Sequence, residues 1–224
     1  MNSVHLNKGT KLGPVGVDLD NTIVSYDEVL FKLAANMGLI NADVHQSKKA
    51  IRDSIRALSG GEILWQKLQA EIYGPMMPYA QLNPGVEDFF RECQKRSVDV
   101  YIISHKTQYA NYDTTKTNLW DAALNWLNEK GFFNANHMGM LPEKVFFEIS
   151  REDKIARIRE TGCTYFIDDL EETFTGDGFP QEVIKILFDP HRMHQESEKF
   201  LRYSSWLHIN QYFFPSYDTR TRKL

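Results

Sequence analysis

The tripeptide Asp18-Leu19-Asp20 closes an apolar run, Pro14–Asp20 (PVGVDLD). Alternation along a strand puts its two carboxylates on the same side. In open α/β sheets the carboxyl ends of the strands are where ligands bind. Two carboxylates held side by side repel unless a cation or a proton lies between them. The chemistry that suits them is a metal-bound nucleophile beside a general acid/base. The plainer alternative is a pair of solvated loop acids or an Asx-turn.

Three further features lie at comparable places. Ser104 ends a second apolar run, Val98–Ser104, and is followed by His105, Lys106 and Thr107; a serine after a strand also serves as a helix cap. Ser150-Arg151-Glu152-Asp153 reads as a capping box that starts a helix and puts Lys154 in its first turn. A cation there opposes the helix dipole at a cost of about 0.3–1 kcal/mol, which a nearby anion would offset. The alternative is a surface lysine that snorkels to water. Asp168-Asp169 closes the strand-like run CTYFIDD. One acid there could cap a turn; two, facing another acid pair, suggest a divalent cation with oxygen ligands. His191 and His194 in DPHRMH lie three apart with no third ligand near them, and read as a turn and helix start outside the site.

The elements that must position these residues follow from patterning. Pro14–Asp20, Val98–Ser104, Thr164–Asp168 and Val183–Phe188 read as buried strands, with Lys144–Ile149 as a fifth. Helical segments between them give the alternation of a parallel sheet covered on both faces. Asn83 as N-cap and Pro84 at the first helical position start one helix, whose stripe is Val86, Phe89, Phe90 and Cys93. Thr117–Lys130 is another, with Leu119, Trp120, Ala123, Leu124 and Leu127 on one face and Gly131 as the stop. From Tyr26 to Gln81 no strand is expected; helices fall near Glu28–Met37, Val44–Leu58 and Gly61–Tyr73. The expected organisation is an α/β core over residues 1–25 and 82–224, with a helical cap over 26–81.

In DLDNT at Asp18–Thr22, the strand closing on Ser104, Lys154 and FIDD at Phe166–Asp169, the chain resembles the haloacid dehalogenase (HAD) superfamily of phosphotransferases. The resemblance runs from about Pro14 to Asp189, and the helical insertion looks like the family's C1-type cap. Asn21 stands where many members have glycine, and Lys154 lies rather close before the acid pair. The resemblance implies a Rossmann-like parallel sheet with helices on both faces. It also implies Asp18 as nucleophile forming an aspartyl-phosphate, and Asp20 as general acid and then base. Mg²⁺ would be held by the Asp18 carboxylate, the Asp20 backbone carbonyl and Asp169, with Asp168 in support. Ser104 and Lys154 would hold the transferring oxygens. Members that cleave carbon–halogen bonds lack the second acid, so Asp20 favours phosphoryl transfer.

The expected activity is Mg²⁺-dependent hydrolysis of a small phosphorylated metabolite, a sugar phosphate or a nucleotide. Thr22, Lys106 and Tyr26 are expected on the substrate side, and Trp65 and Tyr79 are further aromatic candidates for the pocket. A phosphomutase would use the same aspartyl-phosphate. A D-x-D glycosyltransferase leaves Lys154 and the Asp168-Asp169 pair without a part. A phospho-receiver domain would take phosphate on its third strand. A non-catalytic scaffold would have no need of all four motifs.

Bulk composition narrows the partners. The 224 residues include 26 basic and 30 acidic ones, a net charge of −4. Such a balance gives no footprint for a nucleic acid polymer or an anionic membrane. Cys93 and Cys163 are too few for a disulfide framework and are expected as reduced thiols. The opening MNSVHLNKGTKLG lacks the apolar stretch of a secretion signal, and VYII at Val100–Ile103 is far too short to span a bilayer. A cytoplasmic location is expected.

Overall fold

The computed structural model describes residues 12–195 and 197–215. The basic DTRTRKL tail and most of the N-terminal stretch lie outside the described residues. In chain order the elements are β1 (Val15–Val17), β2 (Val24–Ser25), α1 (Asp27–Asn36), α2 (Lys48–Arg56), α3 (Gly61–Tyr73), β3 (Gln81–Leu82), α4 (Val86–Lys95) and β4 (Val100–His105). They continue with α5 (Leu119–Glu129), β5 (Val145–Glu148), α6 (Arg151–Glu160), β6 (Tyr165–Asp168), α7 (Glu171–Thr175), β7 (Ile184–Phe188), β8 (Leu201–Tyr203) and α8 (Trp206–Phe213). No helix among the described residues is long and apolar enough to cross a membrane.

Six strands form one sheet in the order β5-β4-β1-β6-β7-β8, with every neighbouring pair parallel. The period of two along each strand divides the apolar residues between two cores. Ile102, Ile167 and Ile186 join the larger core with Phe89 and Phe90 of α4, Trp126 and Leu127 of α5 and Trp206 of α8. Their neighbours Ile103, Phe166 and Leu187 point the other way, onto Ile155 and Ile158 of α6 and Phe174 of α7. The expected Rossmann-like α/β architecture is therefore observed.

The central strand is also the most crowded. Val17 of β1 lies level with Ile102 of β4 on one side and Ile167 of β6 on the other. A Cβ on Gly16 would fall 2.4 Å from the Phe166 ring and 2.9 Å from Cys163 Sγ. Only a residue without a side chain lets Phe166 and Cys163 close against the strand that leads into Asp18.

The five expected strands and the helices read from periodicity are present, with shifted ends. The regular part of β1 is three residues long, because the chain leaves the sheet at Asp18 for a turn. Asn21 has φ of +62°, a left-handed conformation that glycine or asparagine adopts most readily. That accounts for asparagine where the resembling family often has glycine. Asn83 is not the N-cap of α4; that position is Gly85, with φ of +98°. The Asn83 amide instead donates to the carbonyl oxygens of Asn21 (3.3 Å) and Thr22 (2.9 Å). Trp206 Nε1 donates to the same Thr22 oxygen at 2.9 Å. On α5 the buried face includes Trp126, while Trp120 and Leu124 are only partly covered.

β2 and β3 were not foreseen. They pair antiparallel, Val24 with Leu82 and Ser25 with Gln81, so the chain leaves for α1–α3 and returns through one two-stranded stem. The helix start expected after Asp189-Pro190 is only a turn. The buried Asp189 carboxylate shapes it by accepting from the backbone N–H groups of Met193 (2.8 Å) and His194 (3.0 Å).

Gly16→Val is expected to lower the unfolding free energy by about 1–3 kcal/mol, the usual cost of overpacking a dense interior. Urea unfolding followed by circular dichroism measures it, and an unchanged midpoint would contradict the crowding described.

Candidate functional site

Because Val17 is level with Ile102 and Ile167, the next residue along β1 emerges level with Asp168, between the ends of β4 and β6. Asp18, Ser104 and Asp168 are consequently gathered at one carboxyl edge, all buried. The turn after β1 is closed by backbone bonds from Ile23 and Val24 N–H to the Leu19 carbonyl (3.0 Å each). Leu19 and Ile23 are fully buried and anchor this turn in the core.

Lys154 is not a surface lysine. Ser150 Oγ accepts from Asp153 N–H at 3.0 Å, the expected cap of α6, and Lys154 then projects to the edge of the sheet. Its side chain is 3% exposed, and Nζ donates to Asp18 Oδ1 and Asp168 Oδ2, both at 2.6 Å. Although burial works against its charge, Asp168 and Asp18 hold its ammonium well above the ordinary lysine range. The dipole penalty of its position is outweighed by two short charge-assisted bonds.

Asp168 and Asp169 differ in what remains free. Both oxygens of Asp168 are engaged, Oδ2 by Lys154 and Oδ1 by the Leu170 N–H at 2.8 Å. Asp169 accepts from Thr22 Oγ1 at 3.3 Å. Carboxylate oxygens of Asp18, Asp168 and Asp169 lie within 4.8 Å of one another. An all-oxygen set of this size fits a hard divalent cation such as Mg²⁺. Burial, together with repulsion from Asp168 and Asp20, pushes the Asp18 carboxyl up to about 7 despite Lys154. Burial and the neighbouring Asp168 and Asp18 push Asp169 well above the carboxylate range, although Lys48 opposes this.

Asp20 lies outside that trio. Tyr26 Oη donates to its Oδ1 at 2.7 Å, and Lys106 Nζ lies 2.8 Å from its Oδ2. Burial disfavours the charge, yet Lys106 and then Tyr26 hold Asp20 below the usual carboxylate range. Lys106 is buried, with a side chain 2% exposed, contrary to the exposed loop lysine that its position after a strand suggests. Its backbone is fixed by bonds to the Glu148 carbonyl and from Trp120 Nε1, both 2.8 Å.

The other expected contacts divide. Thr22 is fully buried, so here it touches Asp169 rather than open space. Trp65 packs in the core, and Tyr79 is exposed and away from the cleft. A cleft of about 360 Å³ opens beside Asp169, between Ser47–Arg52 and the turn Asp189–His194. His191, set aside as a ligand, borders it and pairs through Nε2 with Asp27 Oδ2 at 2.7 Å.

The sequence did not single out Lys48 or Tyr73. Lys48 begins α2, and burial opposes its charge, but Tyr73, Asp169 and Asp20 raise it well above the lysine range. A lysine in a first turn was a legible signal, shared with Lys154, although the first turn of α2 has no acid and that of α6 has Glu152 and Asp153. Nothing local marks Tyr73.

No protein-family model matches the chain, and no curated protein matches it. Solved structures do. A haloacid dehalogenase-like hydrolase from Streptococcus pneumoniae aligns over 91% of this chain and 99% of that one, with TM-score 0.55 and 15% identity. The HAD-hydrolase YfnB of Bacillus subtilis, solved bound to magnesium, aligns over 90% and 98%, with TM-score 0.54 and 12% identity. A HAD-superfamily hydrolase of subfamily IA from Geobacter sulfurreducens aligns over 90% and 96%, with TM-score 0.53 and 12% identity. A dehalogenase with an intermediate complex is also among the matches. The chain has the fold of the HAD-superfamily hydrolases.

A carboxyl whose folded pKa is raised contributes stability below its unfolded pKa and loses it as pH rises through the folded value. Asp169→Asn is therefore expected to raise the melting temperature of the metal-free protein at pH 8. A gain of ~1 kcal/mol corresponds to about 2–4 °C in a chain this size. If Mg²⁺ occupies the Asp18–Asp168–Asp169 trio, added Mg²⁺ is expected to raise the melting temperature of the unmodified protein more than that of this variant. Scanning calorimetry with and without metal at pH 5 and pH 8 measures both, and a lower melting temperature at pH 8 would contradict the repulsion argued here.

Proposed function

We propose that this protein is a Mg²⁺-dependent phosphomonoester hydrolase that works through an aspartyl-phosphate on Asp18 and acts on a small phosphorylated metabolite. The observation that carries this reading is the pairing of two differently prepared acids at one sheet edge. Asp18 is held by Lys154 within a trio of carboxylates, whereas Asp20 sits apart, held by Lys106 and Tyr26.

In this reading Asp18 attacks phosphorus in line as the bond to the leaving oxygen breaks. Asp20, which Lys106 and Tyr26 hold charged in the free protein, takes up a proton as the dianionic phosphate ester binds, gives it to that oxygen, and recovers one from the water that cleaves the acyl phosphate. Lys154 fixes the direction of the Asp18 carboxylate and offsets the charge of Asp18 and Asp168. Ser104, buried at the end of β4 beside β1, is assigned to an oxygen of the transferring group. Asp18, the Asp20 backbone carbonyl and Asp169 would hold Mg²⁺, with Asp168 in support; when bound, the cation supplies charge neutralisation for the phosphoryl group. Asp168, with both oxygens committed, serves mainly to hold Lys154.

The presence of Asp20 favours phosphoryl transfer over dehalogenation, since the resembling dehalogenases lack a second acid. Residues 26–81 are assigned to a cap, and the cleft beside Asp169 to the part of the substrate that leaves. Its volume suits a small molecule, with Tyr26 and Lys48 among the residues that line it. The substrate class is a phosphorylated metabolite of sugar or nucleotide size.

With Mg²⁺ the purified protein is expected to release inorganic phosphate from p-nitrophenyl phosphate, and EDTA is expected to stop it. Asp18→Asn should lower kcat at least ~1,000-fold, as loss of a nucleophile does, and Asp20→Asn by about 10²–10⁴. Phosphate release that survives EDTA or the loss of Asp18 would overturn the mechanism.

A further inference from the structure

Both oxygens of the Asp20 carboxylate are held, by Tyr26 and by Lys106, and these two residues share a third neighbour. The ring of Tyr73, the last residue of α3, packs edge-on against the Tyr26 ring, with centroids 5.0 Å apart and planes at 78°. Lys106 Nζ lies over the same ring at 4.7 Å from its centroid. Lys106 is buried, so its ammonium is left with a carboxylate on one side and the ring on the other. An aromatic face attracts a desolvated cation and constrains where it sits. An edge-on partner likewise constrains the rotation of Tyr26.

Asp20 belongs to the turn after β1, on the sheet side of the molecule. Tyr73 arrives on α3, through the excursion that begins and ends at the β2–β3 stem. One ring on one element therefore bears on both residues that orient an acid on another. We infer that Tyr73 is a positioning residue that sets Lys106 and Tyr26 against Asp20, so that this acid is aimed only while the C-terminal end of α3 packs on those two side chains. The inference rests on the proposed role of Asp20 in moving the proton: the leaving oxygen receives it as the phosphorus–oxygen bond breaks, and Asp20 recovers it from water.

The leaving group provides the test. An alkyl phosphate such as glycerol 2-phosphate needs its departing oxygen protonated, whereas p-nitrophenolate departs without help. Tyr73→Met keeps the volume but removes the ring; it is expected to lower kcat on the alkyl ester by about 10–100-fold, part of the full acid–base contribution. The aryl ester should lose less than about 3-fold, and KM should change little. Tyr73→Phe, which keeps the ring, is expected to keep the alkyl-to-aryl ratio. Equal losses on both esters, no loss, or a ratio collapsed equally by phenylalanine would overturn the assignment. If Tyr73→Met does not fold, Tyr73→His, with a smaller and less electron-rich ring, is read in the same way. A crystal structure of the folded variant gives a readout independent of turnover. Loss or displacement of the Lys106 or Tyr26 bond to Asp20 supports the inference, and both bonds unchanged overturn it. If the unmodified protein hydrolyses neither ester, the phosphatase reading fails, and the structure still decides whether Tyr73 positions Asp20.

Discussion

The ammonium of Lys154, set 2.6 Å from both Asp18 and Asp168, is the interaction on which the rest of this site depends. Carboxylates emerging side by side from adjacent parallel strands would repel strongly in a buried setting. A single cation between them turns that repulsion into two charge-assisted hydrogen bonds. The bridge ties β1 to β6 through α6 and fixes the direction of the Asp18 carboxylate. It also leaves Asp169, rather than Asp168, as the acid with capacity to spare.

The backbone around this bridge is arranged to make it possible. Gly16 allows Phe166 of β6 and Cys163 to approach β1 closely, and the left-handed Asn21 turns the chain after Asp20. The Asn21 and Thr22 carbonyls, which such a turn removes from the sheet, are satisfied by Asn83 and Trp206. Residues over sixty and over one hundred and eighty positions away in sequence thus hold the same short loop. Buried carbonyls left unpaired would cost more than the loop gains.

Electrostatically the site is built at the expense of stability. Asp18 is raised by burial and by Asp168 and Asp20, and Asp169 by burial and by Asp168 and Asp18, while Lys154 opposes both shifts and Lys48 opposes the second. The arrangement favours added positive charge near Asp169 and separates its acids by environment, one kept charged by Lys106 and Tyr26, another kept high by its neighbours.

Much of this was legible in the sequence. Period-two apolar runs ending in acids marked the strands and the edge where Asp18, Ser104 and Asp168-Asp169 meet. A capping box in front of Lys154 predicted its helix, because these signals are local and recur within one turn or strand. The stem β2–β3 was too short, at two residues a strand, to register as a pattern. Asn83 looked like a helix cap because a local cap and a distant carbonyl ask for the same side chain. That Tyr73 meets Tyr26 and Lys106 depends on where the end of α3 packs, a long-range outcome with no local period. The sequence by itself determined the fold class, the order of the strands along the chain and the residue types at their ends. Only the tertiary structure decided which charges pair, because pairing at 2.6–2.8 Å depends on register and helix placement, and neither is written in neighbouring residues.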